Sequence, residues 1–573
     1  MRMEIGEFLN KRLKQLGIFH VFGVPGDFNL SYLEQIQADT QLEFIGNCNE
    51  LNAAYAADGY ARIQRFSALV TTYGVGDLSA INAIAGAYAE HVPVVHISGI
   101  PPLHAVQNGE LIHHTLVDGN YDNVMHCMQE FTVAQTRLTP ANAVSEIDRV
   151  LRQCILERRP VYLQLPSDIT HLKIEVNVPE LDLNHPHSDP EQLQAVVEKI
   201  AQKWSKAQRP VLLIDQEAQV FQVTALLKTL AERCSIPFVC LPTSKNIMDE
   251  GSASYAGVYV GAASHPQTRE IVENSDCLIG IGVRFTDVAT GLFSHQIDFQ
   301  NYIEIRQSFI GVGKHNFSGI EIQQLLTELN HCLVKKTVTW SKPQQPVATL
   351  DVIQPEQKLS QAILWNRVMP FFQADDVILG EVGTSNSALS GLSLPATATY
   401  ISQPIWGSIG YTLPALLGTL LAAPKRRQIL FIGDGSLQLT VQELSTIVRH
   451  GLKPIIFVLN NGGYTIERLI LGEHAAYNDI QNWKYTKILD VFNAEQRYHN
   501  FSVETEGQLE TVLQQVANLD ELTLIELKLP ALDAPASLHK FADAVARYDY
   551  GDLAYQKLKK VSAELKPQVV VPV

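Results

Sequence analysis

The sequence predicts an α/β protein made of three doubly wound parallel-sheet units, and three observations carry that prediction. Short β-branched runs recur along the chain, each closed by Gly, Pro or Asp and followed by a helix-like stretch. The runs are apolar throughout rather than alternating, as strands buried on both faces are. The chain has 573 residues, room for three or four domains at about 150 residues each.

The runs lie at 67–73, 94–98 and 161–165, then at 211–214, 238–241 and 277–283, then at 377–380, 429–432, 455–459 and 522–527. Two breaks in composition group them. Residues 182–190 (DLNHPHSDP) are polar and proline-punctuated and precede a helix starting near Glu191. Residues 342–357 (KPQQPVATLDVIQPEQ) are rich in Pro and Gln, as inter-domain linkers are. The expected domains are therefore 1–180, 190–340 and 358–573, with a linker at 341–357. There is no short-period repeat, low-complexity tract or charge run.

Composition narrows the function. The net charge is −16, which repels nucleic acid and anionic membranes because phosphate-backbone affinity needs the opposite sign. A content of 46% hydrophobic and 18% charged residues supports large buried cores rather than disorder. Seven cysteines without a CxxC pair read as scattered core thiols, not a disulfide frame or zinc site. The first residues read as an amphipathic helix without the apolar core of a signal peptide. The longest apolar stretch, 411–424, is short and contains Pro414, so no membrane span is expected. These features point to a cytoplasmic enzyme. In the middle unit the run VLLI leads into DQEAQV with no glycine. A dinucleotide fingerprint needs glycines there for the backbone to approach a pyrophosphate, so no standard NAD or FAD site is expected.

The strongest chemical signal is in the third unit. The run 429–432 leads into Gly433-Asp434-Gly435-Ser436, and the run 455–459 into Asn460-Asn461-Gly462-Gly463-Tyr464. Glycines at a strand's carboxyl end let backbone N–H groups gather around an anion. An Asp beside them and an Asn from the next strand supply hard oxygen ligands that suit Mg²⁺ or Ca²⁺ bridging phosphate oxygens. GDGS alone is a common turn; GDG followed, after 436–459, by NN resembles the diphosphate–metal motif of thiamine diphosphate enzymes. That resemblance implies thiamine diphosphate and Mg²⁺ as cofactors, with Asp434, Asn461 and the Gly463 carbonyl as metal ligands and Gly435 and Ser436 against the diphosphate.

In the first unit NELNAAYAADGYAR, which follows a strand-like run at 42–45, resembles the pyrimidine-domain helix of thiamine diphosphate-dependent decarboxylases. By itself Glu50 reads as a carboxylate favoured at a helix N-terminus. By resemblance it is the shielded, protonated acid that hydrogen-bonds the cofactor's aminopyrimidine, with burial holding the proton on. Trp406-Gly407-Ser408-Ile409-Gly410 resembles the segment that bends the cofactor into a V, with the Gly407 carbonyl facing the amine and Ile409 wedged between the rings. Thr384 and Ile466 join the implied cofactor contacts.

Val24-Pro25-Gly26-Asp27, the pair His113-His114 and Tyr464-Thr465-Ile466-Glu467 together resemble the acid–base set of pyruvate and indolepyruvate decarboxylases. Two carboxyl groups and two imidazoles in one enclosed site can relay protons near neutral pH. The resemblance implies that Glu467 lies near the substrate carboxylate and donates a proton, while Asp27, His113 and His114 assist transfer and release. It extends over HVFGVPGDFNL, GELIHHTL and GVRFTD as well, and identifies the chain as a member of the pyruvate/indolepyruvate/phenylpyruvate decarboxylase group. The three units then become pyrimidine-binding, central and diphosphate-binding domains. Each cofactor site is shared between two subunits across an isologous interface, with a homotetramer as the usual assembly.

The chain departs from ethanol-forming pyruvate decarboxylases where those place bulky aromatics at positions aligned with Val288 and Asn386, and a Thr at Val382. The smaller side chains, with Ile470, imply a pocket for branched-chain or aromatic 2-oxo acids, unless Phe285, Phe293, Leu538 or Phe541 refill the space. Two rival readings share part of the pattern: a carboligase of the acetolactate synthase type, and a non-catalytic protein with a degenerate cofactor fold. A flavin or nicotinamide oxidoreductase is a third.

Overall fold

The computed structural model describes residues 1–307, 309–344, 352–492 and 497–564. Residues 345–351 of the linker expected at 341–357, and 565–573 of the unit expected to reach 573, lie outside them.

Three sheets organise the chain. The first is parallel throughout, in the order Glu43–Gly46, His20–Gly23, Ser67–Thr72, Val94–Ile100, Val161–Pro166, Gln135–Arg137. The third is also parallel, in the order Thr399–Ile401, Val377–Gly380, Gln428–Gly433, Ile455–Asn460, Leu522–Lys528, Tyr498–Val503. Their inner strands are buried along nearly their whole length, as their uninterrupted apolar sequences require. In each sheet the chain crosses from one half to the other between two neighbouring strands, the place where α/β sheets open a crevice at their carboxyl ends. In the first sheet that point lies between His20–Gly23 and Ser67–Thr72, in the third between Val377–Gly380 and Gln428–Gly433.

The middle sheet is parallel through its centre, as expected, with an antiparallel edge added. Its strands Tyr255–Val258, Phe238–Cys240, Pro210–Ile214, Cys277–Ile281 and Tyr302–Ile305 are parallel, but Ile310–Val312 and His315–Phe317 close one edge in antiparallel pairing. The connections there are too short for a crossover helix, so the chain can only fold back on itself. The missing glycines have a structural counterpart. Asp215, fully buried just after Pro210–Ile214, accepts from the N–H groups of Gln216 (2.7 Å) and Arg284 (3.2 Å) and from the Thr243 hydroxyl. A carboxylate thus fills the strand-end position that a pyrophosphate would need. Burial pushes its pKa up.

The first and third units share one core through two helices. Helix Glu50–Gln64 starts where the Asn49 side chain accepts from Asn52 N–H at 2.8 Å and ends at Arg65 with φ 80°. Helix Thr412–Ala422 is apolar on every face and lies against it. The backbones touch: a Cβ on Gly418 would stand 1.9 Å from the Ala56 carbonyl oxygen, and one on Gly59 2.2 Å from that of Ala415. The expected stretch 411–424 is therefore a core helix of 11 residues, and no helix among the described residues is long and apolar enough to cross a membrane. All seven cysteines are free; four are buried, while Cys48, Cys127 and Cys332 are exposed rather than core thiols.

Candidate active site

Two neighbouring strands of the third sheet deliver the first cluster. Gln428–Gly433 ends at Asp434, the first residue of helix Asp434–Thr440, and Ile455–Asn460 ends at Asn461. Asp434 is 1% exposed; its Oδ1 accepts from Gly435 N–H at 2.8 Å and its Oδ2 from Gly462 N–H at 2.7 Å. Asn461 Oδ1 stands 3.2 Å from Asp434 Oδ1 and 2.9 Å from the Gly463 carbonyl oxygen, three acceptors facing one another. Turning the amide over would let its nitrogen donate to both, but would leave its oxygen against Thr465 Oγ1, 2.8 Å away. That hydroxyl already gives its proton to the Ala531 carbonyl at 2.8 Å, so it has only lone pairs left and holds the amide nitrogen on its side. Neighbouring ligands of an octahedral Mg²⁺ lie about 3 Å apart, and Asn461 Oδ1 stands at that spacing from each of the other two oxygens. The donor set fits a hard divalent cation. Burial pushes the Asp434 carboxyl up to about 6 against the pull of four backbone N–H groups, and a cation opposite would restore the carboxylate.

Arg468, which sequence reading passed over, fixes this turn. Its guanidinium donates to the Gly462 carbonyl at 2.8 Å and to Asp479 at 2.7 Å. Gly435 and Ser436 are buried at the start of the same helix, with the Gly435 Cα face closed by the Tyr464 ring.

Glu381 is a second residue without a sequence signal beyond its place after Val377–Gly380. It is 1% exposed and accepts from Thr412 Oγ1 (2.6 Å), Thr412 N–H (3.2 Å) and Val382 N–H (3.1 Å). It therefore ties the turn leading to Thr384 to the end of the 406–410 segment, and burial pushes its carboxyl up to about 7. The first unit of the same chain grips that segment from the other side. Tyr55 OH lies 2.6 Å from Ser408 Oγ, Trp406 Nε1 donates to Asn82 at 2.8 Å, and Glu90 accepts from Ile405 N–H at 2.9 Å. Gly407 is left exposed and Ile409 half-buried.

The second cluster sits on the first sheet. Asp27 follows His20–Gly23, and His113 Nε2 lies 2.8 Å from its Oδ2, with His114 Nδ1 3.9 Å from its Oδ1. The two imidazoles are 4.6 Å apart, and His113 stacks on Phe28 at 5.0 Å. Gly74, φ 70°, allows His114 its place: a Cβ there would stand 2.0 Å from the His114 carbonyl oxygen. Asp77 holds that turn by accepting from Gly74 N–H at 3.0 Å and from Ser98 Oγ at 2.8 Å. Glu50 begins its helix nearby, close to Gly76. Its side chain is only half-buried within one chain, short of the full shielding the sequence implies.

Glu467 is exposed on helix Thr465–Ile470, which also carries the half-buried Ile466 and Ile470. Helix Ala536–Tyr550 packs on it and on helix Thr384–Leu389, where Ser537 meets Ser387 at 2.8 Å. Val382 and Asn386 are half-buried beside these helices, with Asn386 accepting from Tyr400 OH at 2.7 Å. Val288 is half-buried on helix Asp287–Thr290 of the middle unit. Of the aromatics that could refill the pocket, Phe285 is spent in a cluster with His295, Phe299 and Tyr302, and Phe293 is exposed against Tyr548.

The metal cluster and the Asp27–His113–His114 cluster each assemble within one chain. Among the described residues no hydrogen bond or ion pair joins Glu50 or the second cluster to Asp434, Asn461 or Glu467.

Comparison with known proteins bears on both halves. Residues 3–126 match the family model of the thiamine pyrophosphate enzyme N-terminal TPP binding domain, 197–329 its central domain and 381–527 its C-terminal TPP binding domain. A pyruvate decarboxylase of Candida glabrata is 41% identical over 555 residues, covering 95% of this chain and 98% of that protein. An alpha-keto-acid decarboxylase of Mycobacterium leprae is 41% identical over 540 residues, 93% of this chain and 94% of that protein.

Proposed function

The chain belongs to the thiamine pyrophosphate enzymes as a 2-oxo-acid decarboxylase, and from that premise we propose a division of labour, a metal and a substrate range. Mg²⁺ is held by Asp434 Oδ1, Asn461 Oδ1 and the Gly463 carbonyl, and the convergence of these three oxygens is the observation that carries the reading. The backbone of Gly435 and Ser436 and the hydroxyl of Ser436 face the diphosphate beside it. Thiamine diphosphate, when bound, supplies the nucleophilic carbon and the electron sink that let a 2-oxo acid lose CO₂.

The chain's own groups do the rest. Glu50 would hold a proton for the cofactor's aminopyrimidine ring, and the Gly407 carbonyl and Ile409 would contact the cofactor from the 406–410 segment. Thr384 and Ile466 complete the cradle. Glu467 stands over the substrate carboxylate and returns a proton after CO₂ leaves. Asp27, His113 and His114 form a carboxylate–imidazole relay at 2.8 Å that takes the proton from the departing product. Because Glu50 and Asp27 lie on one half and Glu467 and Asp434 on the other, we assign each site to two chains of a homodimer, paired further into a homotetramer.

We read the small side chains of Val288, Val382 and Asn386, with Ile470, as room for a larger substrate, a reading supported by Phe285, which is engaged with His295 and Tyr302 and does not refill that space. The substrates are branched-chain or aromatic 2-oxo acids in preference to pyruvate. Comparing kcat/KM for pyruvate, 4-methyl-2-oxopentanoate, phenylpyruvate and indolepyruvate, with thiamine diphosphate and Mg²⁺ present, tests this. Aldehyde and CO₂ are the expected products, with pyruvate the poorest substrate; pyruvate as the best one contradicts the pocket reading.

A further inference from the structure

Asp27, His113 and His114 offer more than protons, because two imidazoles and one carboxylate are also a ligand set for transition metals. We infer that they form a second metal site, selective for Zn²⁺ and similar ions over Mg²⁺. Among the described residues they are the one group of three His, Cys, Asp or Glu side chains whose ligand atoms all lie within 4.8 Å of one another. Binding follows from this geometry; its effect on turnover rests on the relay assigned above.

Zn²⁺ bonds of about 2.0–2.2 Å at tetrahedral angles place neighbouring ligand atoms about 3.4 Å apart. The contacts to Asp27 straddle that spacing: His113 Nε2 lies 2.8 Å from Oδ2 and His114 Nδ1 3.9 Å from Oδ1. Small turns of the exposed Asp27 and His113 side chains close the difference. The two imidazole planes meet at 74°, so their nitrogens approach from separate directions, as the corners of a tetrahedron require. Both rings back onto Phe28, His113 stacked at 5.0 Å and His114 edge-on at 5.8 Å. Phe28 is itself buried with Tyr73, Ile100 and Tyr121. Asn29 fixes the loop that carries Asp27: its Oδ1 accepts from Gly26 N–H at 2.9 Å and its Nδ2 donates to the Val24 carbonyl at 3.0 Å.

His114 supplies the observation that points to a ligand. Its Nδ1 is buried and without a hydrogen-bond partner, and 3.9 Å is too far for a hydrogen bond to Asp27. Buried polar atoms are nearly always satisfied, and a metal ion takes up this one. Asp27 and His113 are exposed, which leaves a fourth position open, as in zinc sites with three protein ligands and one exchangeable ligand. Imidazole nitrogen suits Zn²⁺, Ni²⁺ and Cu²⁺, whereas the oxygens of Asp434, Asn461 and Gly463 suit Mg²⁺. The two sites therefore sort metals by ligand chemistry. On binding, the hydrogen between His113 Nε2 and Asp27 moves to Nδ1 or to solvent, and the metal holds the lone pairs that the relay needs. Turnover stops, reversibly and in proportion to occupancy.

The test titrates the enzyme, loaded with thiamine diphosphate and kept in excess Mg²⁺ so that the oxygen site stays filled, with Zn²⁺ by calorimetry and with Co²⁺ by visible absorption. The expected result is one Zn²⁺ per chain, a Co²⁺ spectrum of the nitrogen-ligated, low-coordinate type, and loss of aldehyde formation with the same midpoint, restored by a zinc-selective chelator. His113→Gln and, separately, His114→Gln should each weaken Zn²⁺ binding about 100-fold or more, since even partners behind a metal ligand are worth about 10- to 100-fold. Both variants are judged by metal binding, not by rate. Cofactor binding reports that each is folded, and the second carries the comparison if the first is not. No Zn²⁺ binding, Zn²⁺ that excess Mg²⁺ displaces, or Zn²⁺ that binds both variants as tightly as the parent overturns the inference. Zn²⁺ bound here with undiminished aldehyde formation upholds the site and overturns the relay reading instead.

Discussion

Asn461 Oδ1 lies 2.9 Å from the carbonyl oxygen of Gly463, a pairing of two acceptors that is favourable only around a cation. Its amide is kept that way round by Thr465, whose own proton goes to Ala531. Thr465→Val removes that hold, and the amide is free to turn its nitrogen toward Asp434. The expected result is a 10- to 100-fold weaker Mg²⁺ requirement curve, as for other residues that orient a metal ligand, with cofactor binding recovered at high Mg²⁺. Titrating Mg²⁺ against cofactor binding measures it, and an unchanged midpoint counts against this ligand set.

Glu381 gives a pH prediction with a definite sign. Its carboxyl is raised from 4.5 to about 7 by burial, so the folded protein holds a proton that the unfolded chain releases. Its contribution to stability is full below about 4.5 and is lost as pH rises through about 7. Glu381→Gln, which does not titrate, should show a flatter melting temperature between pH 5 and 8 than the parent. Parallel curves would mean that Glu381 is not protonated in the fold.

The contact between helices Glu50–Gln64 and Thr412–Ala422 has no room for a methyl group. Gly418→Ala places a Cβ 1.9 Å from a carbonyl oxygen, which forces the helices apart at a cost of about 1–3 kcal/mol. A lowered thermal unfolding midpoint is the expected outcome. Activity should fall too, because the same contact sets Tyr55 against Ser408 at 2.6 Å.

Gly74→Ala acts on the relay instead. A left-handed residue with a side chain is strained, and its Cβ would displace the His114 carbonyl from 2.0 Å. Misplacement by an ångström can cost about 100-fold in rate. The expected result is a large fall in kcat with cofactor affinity unchanged, measured by steady-state kinetics beside cofactor titration. A normal kcat would remove His114 from the relay.

Much of this was legible in the sequence for identifiable reasons. Central strands such as Ile455–Asn460 are buried on both faces and so read as unbroken apolar runs, and glycines at their ends marked Asp434 and Asn461. Of the edge strands of these two sheets only Glu43–Gly46 showed in the sequence; Thr399–Ile401 and Gln135–Arg137 have three residues each, and Tyr498–Val503 is only half-buried, so none of those three gave an apolar run. The hairpin of Ile310–Val312 and His315–Phe317 escaped for the same reason. Glu381, Arg468 and Asp77 were invisible because their roles come from partners far along the chain or on backbone atoms. Asn461's orientation depends on Thr465 and Ala531 together, which no spacing encodes.

The central claim is that one site needs two chains, and hybrid dimers test it most directly. Glu50→Gln disables one half and Asp434→Ala the other, so each variant alone should be inactive. A hybrid of one chain of each has one site with both defects and one with neither. Purified through two different tags, it should turn over at about half the wild-type rate per dimer. A hybrid as dead as its parents would mean that Glu50 and Asp434 serve the same site from the same chain.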